Sequence, residues 1–200
     1  MSFRQQTPKR RLITNIVAHY SDHRNDLHID FKGRCGYCND IHTWRVASFE
    51  IDHFIPRMKD KKPFLTIKTE TDYSNLVYSC KSCNNSKSNK WPSNDQNIHN
   101  QNNEGFIDPC EDEYNDQFTR LNNGQIRPTT ALGNWIYNAL KLHKPQHEVI
   151  WSIEQATELI TEAKELLNGI SDEDLAKKTK DSLLAFYDKY FEYTNQLGNI

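Results

Sequence analysis

Hydrophobic positions fall into short clusters separated by polar runs, and the spacing inside the clusters changes along the chain. Leu12, Ile13, Ile16, Val17 and Tyr20 recur three and four apart behind Thr7-Pro8, an N-cap followed by proline at the first helical position. That spacing predicts a helix from about residue 8 to 22. "LHIDF" (27–31) alternates and reads as a short strand leading into "CGYC". "VASFEIDHFIP" (46–56) is β-rich and stops at Pro56, and residues 57–72, basic and then polar, read as a loop or hairpin connection. From Pro92 to about Gln117 the chain is rich in Asn, Gln and Asp, a long surface connection in which Phe106 and Ile107 of "GFIDP" should pack down.

Three helical stripes follow. Thr130 can cap a helix carrying Leu132, Trp135, Ile136, Ala139 and Leu140 on one face. Ser152 with Gln155 resembles a capping box that opens a second, striped by Ile153, Ala156, Leu159, Ile160, Ala163, Leu166 and Leu167. Ser171, followed by Asp172, Glu173 and Asp174, starts a third with Leu183, Leu184, Tyr187, Tyr190 and Phe191. Such stripes ordinarily exist to be buried, so they read as a helical core rather than a cofactor site.

Composition narrows the class. The chain is 36% hydrophobic and 26% charged over 200 residues, which fits an ordinary globular protein of one domain or two small ones. No apolar run approaches membrane-spanning length, so no membrane partner is expected, and "MSFRQQTPKRR" has no h-region; the cytoplasm is the expected location. Net charge is −2, but residues 1–90 hold 16 Lys and Arg against 9 Asp and Glu, while residues 91–200 hold 9 against 18. A basic half suits a polyanion; charge blocks are also commonly just solvated surface.

The cysteines carry the strongest signal. Cys35-Gly36-Tyr37-Cys38 and Cys80-Lys81-Ser82-Cys83 are two C-x2-C pairs, each able to present two thiolates from a tight turn. Two such pairs complete a closed tetrahedral site, the structural form of zinc. Cys110 is left over as an ordinary thiol. Between the pairs stands "EIDHFIPR", and "CNNSK" begins at the last cysteine. His19 and His23, at i, i+4 on the expected first helix, have no acidic partner and read as a solvated face rather than a metal pair; His42 reads as structural before accessory.

Taken together, Asp52-His53, Asn75-Leu76, the two knuckles, and Asn84 with Lys87 resemble the HNH endonuclease family over roughly residues 33–92. Asn84 stands where that family has His or Asn, an H-N-N variant, and "RMKDKKP" replaces the Gly pair that many members carry after the D-H strand. The resemblance implies an α+β fold: a zinc-stapled ββα-metal core with an N-terminal helix (1–92), a polar connection (93–117) and a helical C-terminal region (118–200) that packs on the core or docks a partner. It implies His53 as general base, Asn75 holding backbone around it, Lys87 on a phosphate, and Mg²⁺ or Mn²⁺ held by Asp52 and Asn84. Asparagine is also a favoured helix N-cap, the lesser reading of Asn84. The implied substrate is DNA, double-stranded first, cut to 5′-phosphate and 3′-hydroxyl ends. More loosely, the layout resembles the Septu-type anti-phage effectors, which work with an ATPase partner. The alternative is a non-catalytic zinc-ribbon module that binds nucleic acid or protein, which would have no need of an imidazole base beside a carboxylate.

Overall fold

The computed structural model describes residues 1–45 and 48–200; Val46 and Ala47, which open the expected second strand, lie outside the described residues. The chain divides into two compact units, Met1–Asn122 with Ile126–His143, and Asn123–Gln125 with Lys144–Ile200.

The first unit is mixed helix and strand. A 3-10 turn at Tyr20–His23 runs into α1 (Arg24–Asp30). Strand β1 (Phe49–His53) pairs antiparallel with β4 (Leu76–Cys80), with Glu50 opposite Ser79 and Asp52 opposite Val77. Between them β2 (Met58–Lys59) and β3 (Lys62–Pro63) form a hairpin whose turn residues Asp60 and Lys61 both take positive φ, the twist a two-residue hairpin turn demands. β4 passes straight into α2 (Lys81–Lys87), with Cys80 as its N-cap. Beyond it lie the hairpin β5 (Asn100–Gln101) and β6 (Glu104–Gly105), α3 (Glu113–Asp116), the pair β7 (Phe118–Arg120) and β8 (Ile126–Pro128), and α4 (Ala131–Leu140). Leu27, Phe31, Tyr37, Phe49, Leu76 and Val77 sit in one buried core that Phe106 and Ile107 join, as expected of the "GFIDP" segment.

Two expectations for this unit fail. Residues 8–17 form no helix, and Leu12 and Ile16 are fully exposed rather than packed. The arginines expected in a helical first turn are instead bonded to distant parts of the unit. Arg10 donates to the Leu76 carbonyl and pairs with Asp108, while Arg11 bonds Asp30 through its backbone N–H and guanidinium. These tertiary bonds hold the segment extended against its local helical preference. "LHIDF" is the end of α1, not a strand. Leu27 and Phe31, four apart, are buried on one helical face, whereas Ile29, which a strand would place beside them, is exposed.

Thr130 caps α4 as expected, its hydroxyl accepting from the Gly133 N–H at 2.8 Å. Gly133 is required there, because a Cβ would lie 2.3 Å from the Gln117 carbonyl oxygen.

The second unit is helical. α5 (Gln146–Gly169) starts six residues before Ser152, directly behind Pro145, so Ser152 and Gln155 lie inside the helix and form no capping box. Pro145 fits the helix start because it has no N–H to leave unpaired there. α6 (Glu173–Gly198) is capped by Asp172, whose carboxylate accepts from the Leu175 N–H at 2.8 Å, rather than by Ser171. The helices pack on each other. Ile153, Ala156, Ile160 and Ala163 of the expected α5 stripe are buried; Leu159 and Leu166 are exposed. Gly124 backs onto the Trp151 ring.

Candidate active site and metal centre

The first knuckle is a turn closed on itself, with the Asn39 N–H on the Cys35 carbonyl and the Cys35 N–H on the Asp40 carbonyl, both 2.9 Å. The Gly36 N–H donates to the Tyr78 carbonyl at 2.9 Å and so fastens the knuckle to β4. A Cβ at Gly36 would meet Phe31 and Val77 at 2.8 Å, so glycine allows this approach. The second knuckle is the turn from β4 into α2, where the Cys80 sulfur accepts from the Cys83 N–H.

All four sulfurs are buried and lie within 4.8 Å of one another. Cys38 Sγ and Cys80 Sγ are 3.8 Å apart. Four sulfurs about 2.3 Å from one tetrahedral ion would be about 3.8 Å apart, so the donor set fits such an ion. Burial and hydrogen bonding split the thiols. Burial raises Cys35, but bonds from the other three outweigh it and hold that thiol well below its ordinary value. Cys38 is pushed up by burial and Cys83 by its bonds to the other cysteines. Four buried thiolates need a cation to coexist, and the cluster could hold a metal. Cys110 stands outside it, its thiol pushed up by burial to about 12.

Beside this cluster, α2 lies against β1. Strand alternation puts Glu50 and Asp52 on one face, and residues three apart on α2 share a face. The result is two rungs. Asn84 Nδ2 donates to Glu50 Oε2 at 2.6 Å, and Lys87 Nζ pairs with Asp52 Oδ2 at 3.0 Å. Lys87 is fully buried and also donates to the His53 carbonyl at 2.8 Å. Its ammonium therefore faces inward onto Asp52 and the His53 backbone, not outward onto a phosphate as expected, because full burial leaves it no solvent-facing side. Tyr37 donates its hydroxyl to the same Oδ2 at 2.5 Å. Burial raises the Asp52 pKa, and Lys87 and Tyr37 offset only part of that.

His53, next in the strand, has Nε2 2.7 Å from the Glu70 carbonyl oxygen. A carbonyl only accepts, so Nε2 carries the proton and the lone pair of the neutral ring is on Nδ1. Burial lowers the ring's pKa, the Glu70 bond opposing it, and keeps the imidazole neutral at pH 7. Tyr20 packs its ring edge-on to His53, Arg57 lies over Tyr20, and Arg57 pairs with Glu70. The Asn75 side chain bonds the backbone of Ile55, two residues past His53: its Oδ1 accepts from the Ile55 N–H at 2.9 Å and its Nδ2 donates to the Ile55 carbonyl at 3.1 Å.

Asp52, Lys87 and the backbone of His53 thus form one contact set, with Asn75 holding the exit from β1 and Asn84 bonded to Glu50. His19 and His23 do not share a helix. His19 flanks the 3-10 turn, and His23 is buried with its ring against Tyr73. His42 has Nδ1 3.1 Å from the Gly33 carbonyl oxygen and its ring against His28 and Phe49. Sequence reasoning missed Glu50, Tyr37, Tyr20 and the Glu70 carbonyl. Glu50 had a signal, its position two residues before Asp52 on a strand; the others are set by folding alone.

Residues 35–90, the segment that holds both knuckles and both rungs, match the family model described as HNH endonuclease. Over a longer stretch the chain is similar to the Septu protein PtuB of Bacillus mycoides (strain KBAB4), 29% identical over 207 residues that cover 86% of this chain and 68% of the relative. No solved structure matches. Among the described residues, no helix is long and apolar enough to cross a membrane.

Proposed function

We propose that the protein is a metal-dependent endonuclease that hydrolyses phosphodiester bonds of DNA, double-stranded DNA first. The observation that carries this reading is His53: a neutral imidazole with Nε2–H anchored on a backbone carbonyl, beside Asp52, inside the segment that matches the HNH model. A module that only bound nucleic acid would gain nothing from a base fixed in one tautomer.

β1, β4 and α2 serve in this reading as the ββα unit, stapled by zinc at Cys35, Cys38, Cys80 and Cys83. Asp52 and Asn84 are the residues that would hold Mg²⁺ or Mn²⁺, and their free donors fit a hard cation. Tyr37 and Lys87 both use Asp52 Oδ2, and Glu50 takes the nitrogen end of Asn84. Among the described residues, no bond is made to the other Asp52 carboxylate oxygen or to the Asn84 amide oxygen, and both are the donor type such ions prefer. When bound, the cation neutralises charge on the phosphoryl and leaving oxygens.

His53 Nδ1 takes the proton of the attacking water while Nε2–H stays on Glu70, so the imidazolium that forms is already oriented. Water oxygen bonds to phosphorus, the bond to the 3′ oxygen breaks, and the departing alkoxide takes a proton from solvent water, giving 5′-phosphate and 3′-hydroxyl ends; the His53 imidazolium then returns its proton to solvent. Asn75 keeps the backbone behind His53 in place, and Lys87 steadies Asp52 from inside. Similarity to the Septu protein PtuB supports a role in anti-phage defence. An ATPase partner docked on the helical C-terminal region belongs to the same proposal.

The test uses supercoiled plasmid and zinc-loaded protein freed of other divalent ions. Cleavage that appears on adding Mg²⁺ or Mn²⁺, and weakens steeply with salt, is the expected result. Tight DNA binding with no cleavage in either ion would overturn the proposal in favour of a binding module.

A further inference from the structure

The second rung of the β1–α2 ladder, Glu50 with Asn84, has no place in the chemistry above beyond the nitrogen it occupies. We infer that Glu50 is a positioning residue: its carboxylate fixes the Asn84 amide in one orientation and so leaves Oδ1 as the donor for the hard cation. This inference rests on the reading of Asn84 as a metal-holding residue.

The two rungs differ in surroundings. Asp52 and Lys87 are buried, whereas Glu50 and Asn84 are half-buried, at the end of the ladder that solvent reaches. An asparagine amide presents oxygen on one side and two N–H donors on the other, and the two orientations have nearly the same shape. In solvent both are populated, and a cation would meet a donor only in one of them. Glu50 removes that freedom. An ionised carboxylate only accepts, so the atom 2.6 Å from Glu50 Oε2 must be the amide nitrogen; oxygen in its place would set two acceptors together with no proton between them. The carbonyl oxygen is then turned away from Glu50 in every molecule. β1 supplies Glu50 on the face that also carries Asp52, because the two are two residues apart. α2 supplies Asn84 on the face that carries Lys87.

A direct role for Glu50 on the ion is a different claim, and a double-mutant cycle separates the two. Mn²⁺ is titrated into zinc-loaded protein and free Mn²⁺ is read by electron paramagnetic resonance, for wild type, Glu50→Ala, Glu50→Gln, Asn84→Ala and Glu50→Ala/Asn84→Ala. Zinc content and thermal melting establish that each variant is folded. Outer partners of metal ligands typically contribute about 10–100-fold in metal affinity. Glu50→Ala is expected to weaken Mn²⁺ binding by about tenfold at the low end of that range. Glu50→Gln, whose amide oxygen can still accept from Asn84, falls between it and wild type. In the Asn84→Ala background, Glu50→Ala adds less than about twofold, because nothing is left to orient.

Mn²⁺ binding unchanged in Glu50→Ala while weakened in Asn84→Ala would overturn this inference alone. Multiplying effects in the double variant would also overturn it, in favour of Glu50 acting on the ion itself. Unchanged binding in Asn84→Ala would instead refute the underlying assignment of Asn84.

Discussion

Asp30 and Asp52 are buried carboxylates handled in different ways. Asp52 has one ammonium and one phenol on a single oxygen, and burial still keeps its pKa up. For Asp30 burial is outweighed by the Tyr73 hydroxyl and by the Arg11 backbone and guanidinium, which hold the carboxyl below its ordinary value. A carboxylate with a depressed folded pKa stabilises fully above its unfolded pKa and loses that contribution as pH falls through the folded one. Comparing wild type with Asp30→Asn by urea unfolding from pH 7 downward should show a gap that narrows in acid; a gap constant with pH would contradict this. At the buried rung, Lys87→Met strands the Asp52 charge. The cost of breaking a buried pair in this way is about 3–5 kcal/mol, readable in the same unfolding experiment. A loss under about 1 kcal/mol would mean that Asp52 is neutral or otherwise paired.

At the scale of elements, what was legible in the sequence was chemistry confined to a few neighbouring residues. The C-x2-C turns, Thr130 as a cap and the burial of Phe106 and Ile107 depend on residues within one or two turns of one another. The stretch 8–17 was not legible, because its fold is decided by Arg10 reaching Leu76 and Asp108 and Arg11 reaching Asp30. In "LHIDF" the spacing of Leu27 and Phe31 suits both a strand and a helix, and only the exposure of Ile29 separates them. The ladder was half legible: "EIDH" and "CNNSK" held its four residues, but the pairing across it required the β4–α2 turn. That turn makes the metal centre an element-level matter. Cys80→Ser should abolish zinc retention measured by atomic absorption and lower the melting temperature, since Cys80 is also the N-cap of α2. Full zinc content in this variant would contradict the four-sulfur centre.

Across the whole molecule, the two units are built differently. The first is tied together by a single core and buried ionic bonds, whereas in the second, α5 buries a stripe and no described residue of α6 is fully buried. Leu184 and Phe191 are exposed at 64% and 60%, so Leu184→Ser with Phe191→Ser should cost under about 1 kcal/mol in total. Ile153→Ala, at a fully buried position, should cost about 2–5 kcal/mol. Equal losses at the two sites in thermal unfolding would mean that α6 is buried in solution, by a partner or a second copy.

The central claim is that one imidazole, fixed by a carbonyl and set in a metal-stapled frame, does the chemistry. Plasmid cleavage by His53→Ala in saturating Mg²⁺, against wild type with equal zinc content and melting temperature, tests it most directly. The account predicts a rate lower by about 10²–10⁴-fold, the usual contribution of a general base. Cleavage at the wild-type rate would contradict it.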